Sequence, residues 1–169
     1  VDELKNYVRD KSADLTQSVN INEVIKSSVS LLSNMIKNST NHFAIEYDNK
    51  APSIKGNFQR LEQVIINLVQ NACQALPDSQ KGIFISVKLD QEGSNITVSV
   101  RDEGSGIPTE TLDHITDPFF TTKRDEGGTG LGLSVCYRIV QNHGGTLTFE
   151  SEQEKGTTAR MALPAGDSE

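Results

Sequence analysis

Arg60-Leu61-Glu62-Gln63-Val64-Ile65-Ile66-Asn67-Leu68-Val69-Gln70-Asn71-Ala72 is the stretch on which the architecture turns. Its apolar residues recur at threes and fours, the period of a helix with one buried face. The pattern predicts a helix from about Phe58 to Leu76, opened by Gly56-Asn57 and stopped by Pro77-Asp78. Gln63, Asn67 and Asn71 stand four apart and therefore line one stripe of that helix. Asn is a poor residue inside a helix, because its amide competes for the backbone. Two of them beside Ile65, Ile66 and Leu68 cost stability unless they bind something. Taken alone, the stripe is either an exposed polar face or a set of amides whose carbonyl oxygens can hold a metal ion.

Outward from this helix, the N-terminal side is helical in pattern. Leu4, Val8 and Leu15, with Tyr7, have the loose spacing of a helix tail that enters from a preceding segment. Val19 to Ile36 then predicts one clearer helix, with Asn22 as its cap. His42 to Tyr47 reads as a strand. On the C-terminal side, Ile83–Leu89 and Ile96–Val100 alternate around Gly93-Ser94-Asn95 and predict a hairpin. A short helix from about Pro108 to His114 follows, with Pro in its first turn. Leu131 to Asn142 predicts a helix ended by Gly144-Gly145. Thr146–Glu150 and Thr157–Leu163 close a second hairpin around Glu154-Lys155-Gly156. Helices beside adjacent antiparallel strands give an α+β class: a two-layer α/β sandwich with a mixed, mostly antiparallel sheet covered by helices on one face.

Three further motifs carry chemistry. Asp102-Glu103-Gly104-Ser105-Gly106-Ile107-Pro108 directly follows a strand. Its glycines admit a ligand to the backbone, and Asp102 is an acceptor for an amino group; as a bare pattern it is equally a strand-to-helix turn. Gly127-Gly128-Thr129-Gly130-Leu131-Gly132-Leu133-Ser134 opens a helix, where free N–H groups and the helix dipole favour phosphate. No Gly-Lys-Ser/Thr ends it and no parallel βαβ pattern surrounds it, which excludes a P-loop and a Rossmann fingerprint. Its alternative is a linker, against which Leu131 and Leu133 argue. Asp117-Pro118-Phe119-Phe120-Thr121-Thr122-Lys123 places two aromatics in a polar segment, either as a contact surface or as pins to the core. Lys123 can reach a phosphate as a point charge.

Charge and composition narrow the classes. The 169 residues suit one domain. A formal net charge of −7 argues against a nucleic-acid surface. Cys73 and Cys136 sit in apolar helical patterns without a CxxC, as small buried thiols that point to a reducing, cytoplasmic compartment. No apolar run approaches the roughly 20 residues needed to span a bilayer. Six of the 13 glycines fall between positions 104 and 132, which points to backbone working against a ligand.

In this order, the four motifs over residues 59–134 resemble the catalytic and ATP-binding domain of the two-component sensor histidine kinases. That superfamily is shared with gyrase, mismatch-repair and chaperone ATPases. Gly156-Thr157-Thr158 is similar to the family's last glycine turn, so the resemblance covers about 43–164. It implies ATP (or ADP) and Mg²⁺ as ligands. It assigns Asn71 to the metal, with Asn67 one turn earlier, and Asp102 to the adenine amino group, with Gly104, Gly106 and Ile107 in the same box. Phe119 and Phe120 match the F box. Gly128, Thr129, Gly130, Leu131 and Gly132 match the box that wraps the triphosphate, under a short lid. Thr158 is placed near the adenine, and Lys123 and Asn67 among the groups that assist transfer. FTTK and NACQAL are similar to the branch of nitrogen-regulation and dicarboxylate sensors.

The superfamily's hydrolases carry a Glu where Asn67 stands, to activate water. Its absence implies transfer to a protein nucleophile rather than fast hydrolysis. The rivals are a true ATPase of the superfamily, which needs that Glu, and an interaction module without nucleotide, against which the intact set of Asn71, Asp102 and box glycines argues. The family's phosphoacceptor is a His followed by an acidic residue and then a Pro. His42, His114 and His143 do not fit that pattern. The expected organisation is therefore residues 1–18 as the end of a dimerisation region whose His lies upstream, 19–165 as the ATP-binding domain and 166–169 as a tail. The resemblance further implies partners: the chain's own dimerisation domain, a response regulator receiver domain, no nucleic acid, and a homodimeric full-length protein that allows an anchor in the bacterial inner membrane. An acidic chain that binds an anion through glycines and Mg²⁺ depends strictly on the metal.

Overall fold

A computed structural model describes residues 14–115, 117 and 132–166. Among them the order is β1 (Gln17–Val19), α1 (Ile21–Leu31), α2 (Ser33–Ser39), β2 (Phe43–Glu46), β3 (Ile54–Gly56), α3 (Phe58–Ala75), β4 (Ile83–Leu89), β5 (Asn95–Asp102), α4 (Thr109–Leu112), α5 (Gly132–Asn142), β6 (Thr146–Glu152) and β7 (Gly156–Pro164). The helix read from the apolar period is α3. Asn57 caps it through its side chain, which accepts from Arg60 N–H. Leu61, Val64, Ile65, Leu68, Val69, Ala72 and Cys73 form its buried stripe.

Five strands form one sheet in the order β2-β4-β5-β7-β6. The β2–β4 pair is parallel and the others are antiparallel. A parallel neighbour needs a crossover, and the β3–α3 segment supplies it. Helices α1, α3 and α5 pack over one sheet face, with α3 touching α1, α5 and β5. The strands send Ile83, Ile85, Val87, Ile96, Val98, Val100, Ala159, Met161 and Leu163 into that layer, all buried. The other face carries Phe84, Ser86, Ser99, Arg101, Thr158 and Arg160, which line a shallow groove. The Arg101 guanidinium lies 4.4 Å from the Phe84 ring centroid there.

Several expectations are corrected. Residues 19–36 are not one helix: Gln17–Val19 is a strand paired with β3, and Leu32 leaves helical geometry (φ −99, ψ 10), dividing α1 from α2. The cap of α1 is Asn20, whose side chain accepts from Asn22 and Glu23 N–H. Asn22 instead donates its amide to the Asp48 carbonyl, at 3.0 Å. Gln17 and Ser18, assigned by the sequence to the segment before the domain, pair with Gly56 and Lys55. No helix among the described residues is long and apolar enough to cross a membrane.

Candidate functional site

Register builds the first wall of the site. Phe43, Ile83, Asp102, Thr157 and Ser151 are successive partners across all five strands. Alternation puts this row on the helix side, because Ile83 is buried there and Ala159, two residues from Thr157, is buried there too. Asp102 ends β5 with only 7 % exposure. A carboxylate so placed needs partners; Gly104 N–H donates to its Oδ1 at 2.8 Å.

The loop after Asp102 is held from both sides. Ser105 N–H donates to the Ala75 carbonyl at the end of α3, at 3.1 Å, and Glu154 N–H donates to the Ser105 carbonyl, at 2.6 Å. A Cβ on Gly104 would lie 2.7 Å from both Ala75 O and Asp102 Oδ1. Gly106 has φ +75, and a Cβ there would collide with the Glu152 carbonyl. Ile107 N–H donates to Ser151 Oγ at 2.7 Å. The β6–β7 turn therefore clamps the Asp102 loop.

Helices α3 and α5 form the other walls. Gln63, Asn67 and Asn71 are half-buried along α3. Asn67 Nδ2 donates to Cys136 Sγ on α5, at 3.4 Å, which commits its nitrogen and makes Oδ1 the atom that could face a ligand. Gln63 Oε1 accepts from Arg60 at 3.4 Å. Cys136 is fully buried and Cys73 nearly so, both as free thiols; burial pushes the Cys73 thiol up. Gly132 begins α5, and among the described residues a Cβ there would meet nothing, so packing does not demand glycine.

The structure puts Gly132 at the first residue of α5, Asn67 and Asn71 on α3 with Asn67 tied to α5 through Cys136, and Asp102, Gly104, Gly106 and Ile107 together in the loop that the end of α3 and the β6–β7 turn hold. It does not bring Thr158 there. Thr158 pairs with Arg101 and Glu150 in the next row, on the open sheet face. Its neighbour Thr157 occupies the row of Asp102, because one residue of register changes the face. Phe119, Phe120, Lys123, Gly128, Thr129, Gly130 and Leu131 lie outside the described residues. Ser151, Thr157 and Cys136 were missed as site residues. The alternation back from Met161 and Ala159 contained the signal for Thr157, and the hairpin register then points to Ser151.

The three histidines stand apart from the site's chemistry. His143 is half-buried just beyond the end of α5. Its Nδ1 bonds the Ile139 carbonyl at 2.7 Å, and its Nε2 accepts from Asn57 N–H at 3.0 Å. Burial lowers its pKa from the usual 6.5. His114 pairs with Asp117 in solvent, at 3.0 Å, and His42 is exposed.

A family model described as histidine kinase-, DNA gyrase B- and HSP90-like ATPase matches residues 56–167. The sensor histidine kinase ZraS of Escherichia coli is 38 % identical over 148 residues, which are 88 % of this chain and 31 % of the relative. The nucleotide-free catalytic domain of histidine kinase ThkA is 35 % identical with a TM-score of 0.77, covering 88 % of this chain and 97 % of that one. A structure of ThkA in complex with response regulator protein TrrA is 33 % identical with a TM-score of 0.72, covering 89 % of this chain and 42 % of that one. The chain spans between about a fifth and a third of the length of the curated relatives it matches.

Proposed function

The chain belongs to the histidine kinase-, DNA gyrase B- and HSP90-like ATPase family, as the catalytic ATP-binding domain of a histidine kinase, and from that premise we propose that it binds Mg-ATP and passes the γ-phosphoryl group to a histidine on a dimerisation domain. The buried Asp102 at the end of β5 carries the proposal. A carboxylate that only accepts, beside a loop with no room for side chains at Gly104 and Gly106, fits the amino edge of adenine. The triphosphate then runs toward α3 and the start of α5, where helix N–H groups favour anions.

The site's donors also fit the cation. Among the described residues no group of three or more His, Cys, Asp or Glu could hold a metal. Asn71, with Asn67 beside it, offers neutral amide oxygens, a set that suits an ion arriving with phosphate oxygens rather than one held by the protein alone. When bound, Mg²⁺ neutralises phosphate charge. Phosphoryl transfer asks the protein mainly for positioning and charge neutralisation. An imidazole nitrogen forms a bond to the γ-phosphorus as the bond to the bridging β-oxygen breaks, and ADP leaves. Asn67 supplies no general base for water, so hydrolysis is slow.

The remaining roles belong to the same proposal. Residues 17–165 are the ATP-binding unit, the sequence-read start at 19 being extended by the pairing of Gln17 and Ser18 with β3, with 1–16 and 166–169 flanking it. Gly128, Thr129, Gly130, Leu131 and Gly132 wrap the triphosphate, Phe119 and Phe120 form the F box before the lid, and Lys123 meets phosphate. The whole protein is a homodimer in a two-component system of the nitrogen-regulation type, with this domain in the cytoplasm and a receiver domain downstream. The ThkA–TrrA complex and the names of the relatives support the partner. Incubation with γ-labelled Mg-ATP tests the core of it. We expect nucleotide binding, slow hydrolysis and no acid-labile phosphate on this chain. Rapid turnover, or phosphohistidine on the chain alone, would contradict it.

A further inference from the structure

Ser151 sits at a junction whose hydrogen bonds have only one consistent arrangement. Its Oγ lies 2.7 Å from Ile107 N, 3.0 Å from Gly156 O and 2.7 Å from Thr157 Oγ1. A serine hydroxyl has one proton and two lone pairs. The Ile107 N–H can only donate, so it takes one lone pair. The Gly156 carbonyl can only accept, so it takes the proton. One lone pair is left for Thr157, whose hydroxyl must therefore donate to Ser151. Having spent its proton, Thr157 Oγ1 can only accept from any further partner.

Thr157 is the strand partner of Asp102, on the same face of the sheet. The ionised Asp102 carboxylate also only accepts. The end of the row thus presents two acceptors and no hydroxyl proton. We propose that Ser151 is a positioning residue that sets base selectivity: by holding the Thr157 hydroxyl as an acceptor, it makes the site favour a purine with a 6-amino group over one with a 6-oxo group. A 6-oxo group is itself an acceptor and finds no proton at Thr157 while Ser151 holds it. Ser151 acts through Thr157 and through the Ile107 end of the Asp102 loop. This inference rests on the adenine site proposed above.

The test compares binding of Mg-ATP and Mg-ITP by calorimetry to the wild-type chain, Ser151→Ala, Ser151→Thr and Thr157→Val. The wild type is expected to prefer ATP. Ser151→Ala releases the Thr157 hydroxyl to turn its proton toward the base, so the ATP-to-ITP preference falls about tenfold. Ser151→Thr keeps a hydroxyl and restores the preference. Thr157→Val leaves the Ile107 and Gly156 bonds in place, so it reads the same loss even if Ser151→Ala unfolds. A purely structural role would weaken both nucleotides by one factor and leave their ratio alone. The inference is overturned if the wild type binds both nucleotides without preferring ATP, or if the ratio in a folded Ser151→Ala or in Thr157→Val stays within about twofold of the wild-type ratio. A wild type that binds neither nucleotide overturns the adenine site itself, and this inference with it.

Discussion

At the Asp102 end of the proposed site, the loop is held through its own backbone groups. Ser105 is tied to Ala75 and to Glu154, Ile107 to Ser151, and the glycines at 104 and 106 stand where a side chain has no room. At the α3 end, the amides of Gln63, Asn67 and Asn71 project half-buried from a helix that is stable through its opposite, apolar stripe. The glycines of the first region are part of the fold, so changing them damages structure and binding together. The second is carried by a helix whose stability comes from elsewhere, so changing it costs function and little stability. In the proposed site the base end is therefore built in advance, whereas the phosphate end would complete its donor set with the ligand.

The largest expected effect tests the first half of that contrast. Gly106→Ala forces a Cβ against the Glu152 carbonyl at φ +75. We expect a loss of about 2–4 kcal/mol, a Tm lower by roughly 5–15 °C and a matching loss of ATP affinity. A Gly106→Ala protein with wild-type melting would break the contrast. Asn71→Ala tests the other half. Its melting temperature should stay within about 3 °C of wild type, while the gain in ATP affinity on adding Mg²⁺ shrinks by about tenfold. Unchanged metal dependence would remove Asn71 from the cation site.

The smallest effect concerns a group outside both regions. His143 is held neutral, because its Nε2 accepts from Asn57 N–H, and burial lowers its pKa in the folded chain. The unfolded chain takes up a proton near the ordinary 6.5 before the folded chain does. Its contribution is therefore fully present above about pH 6.5 and is lost as pH falls through the lowered folded value. Urea midpoints at about pH 7.5 and about pH 5.5 should differ less in His143→Gln than in wild type. Equal differences would show that His143 carries no part of the acid sensitivity.

What was legible in the sequence follows from length and period. Helix α3, the β4–β5 and β6–β7 hairpins and helix α5 each repeat their pattern long enough to declare it. The β1–β3 pair has three residues in each strand, too few for alternation to register. The break at Leu32 is hidden because Leu32 and Ile36 continue the helical spacing across it, and both are buried. The order of motifs pointed to Asp102 and the α3 stripe, but motif order does not fix side-chain parity. Thr157 and Thr158 are the same residue type; alternation back from Ala159 and Met161 separates their faces, and only the pairing of β7 with β5 puts Thr157 beside Asp102. Asn20 and Asn22 are likewise both good caps, and the backbone at Asn20 decides between them. Cys136 reads as a core thiol, which it is, and its contact with Asn67 exists only through the packing of α5 on α3.

The central claim is that Asp102 reads the adenine amino group in a Mg-ATP site. Calorimetry of Mg-ATP binding to wild type and to Asp102→Asn tests it most directly, because the Asn side chain can keep an acceptor for Gly104 N–H while replacing the other oxygen with a donor. The account predicts binding by the wild type and a loss of about 10- to 100-fold in the variant, with similar melting temperatures. Equal affinity in the two proteins would contradict it.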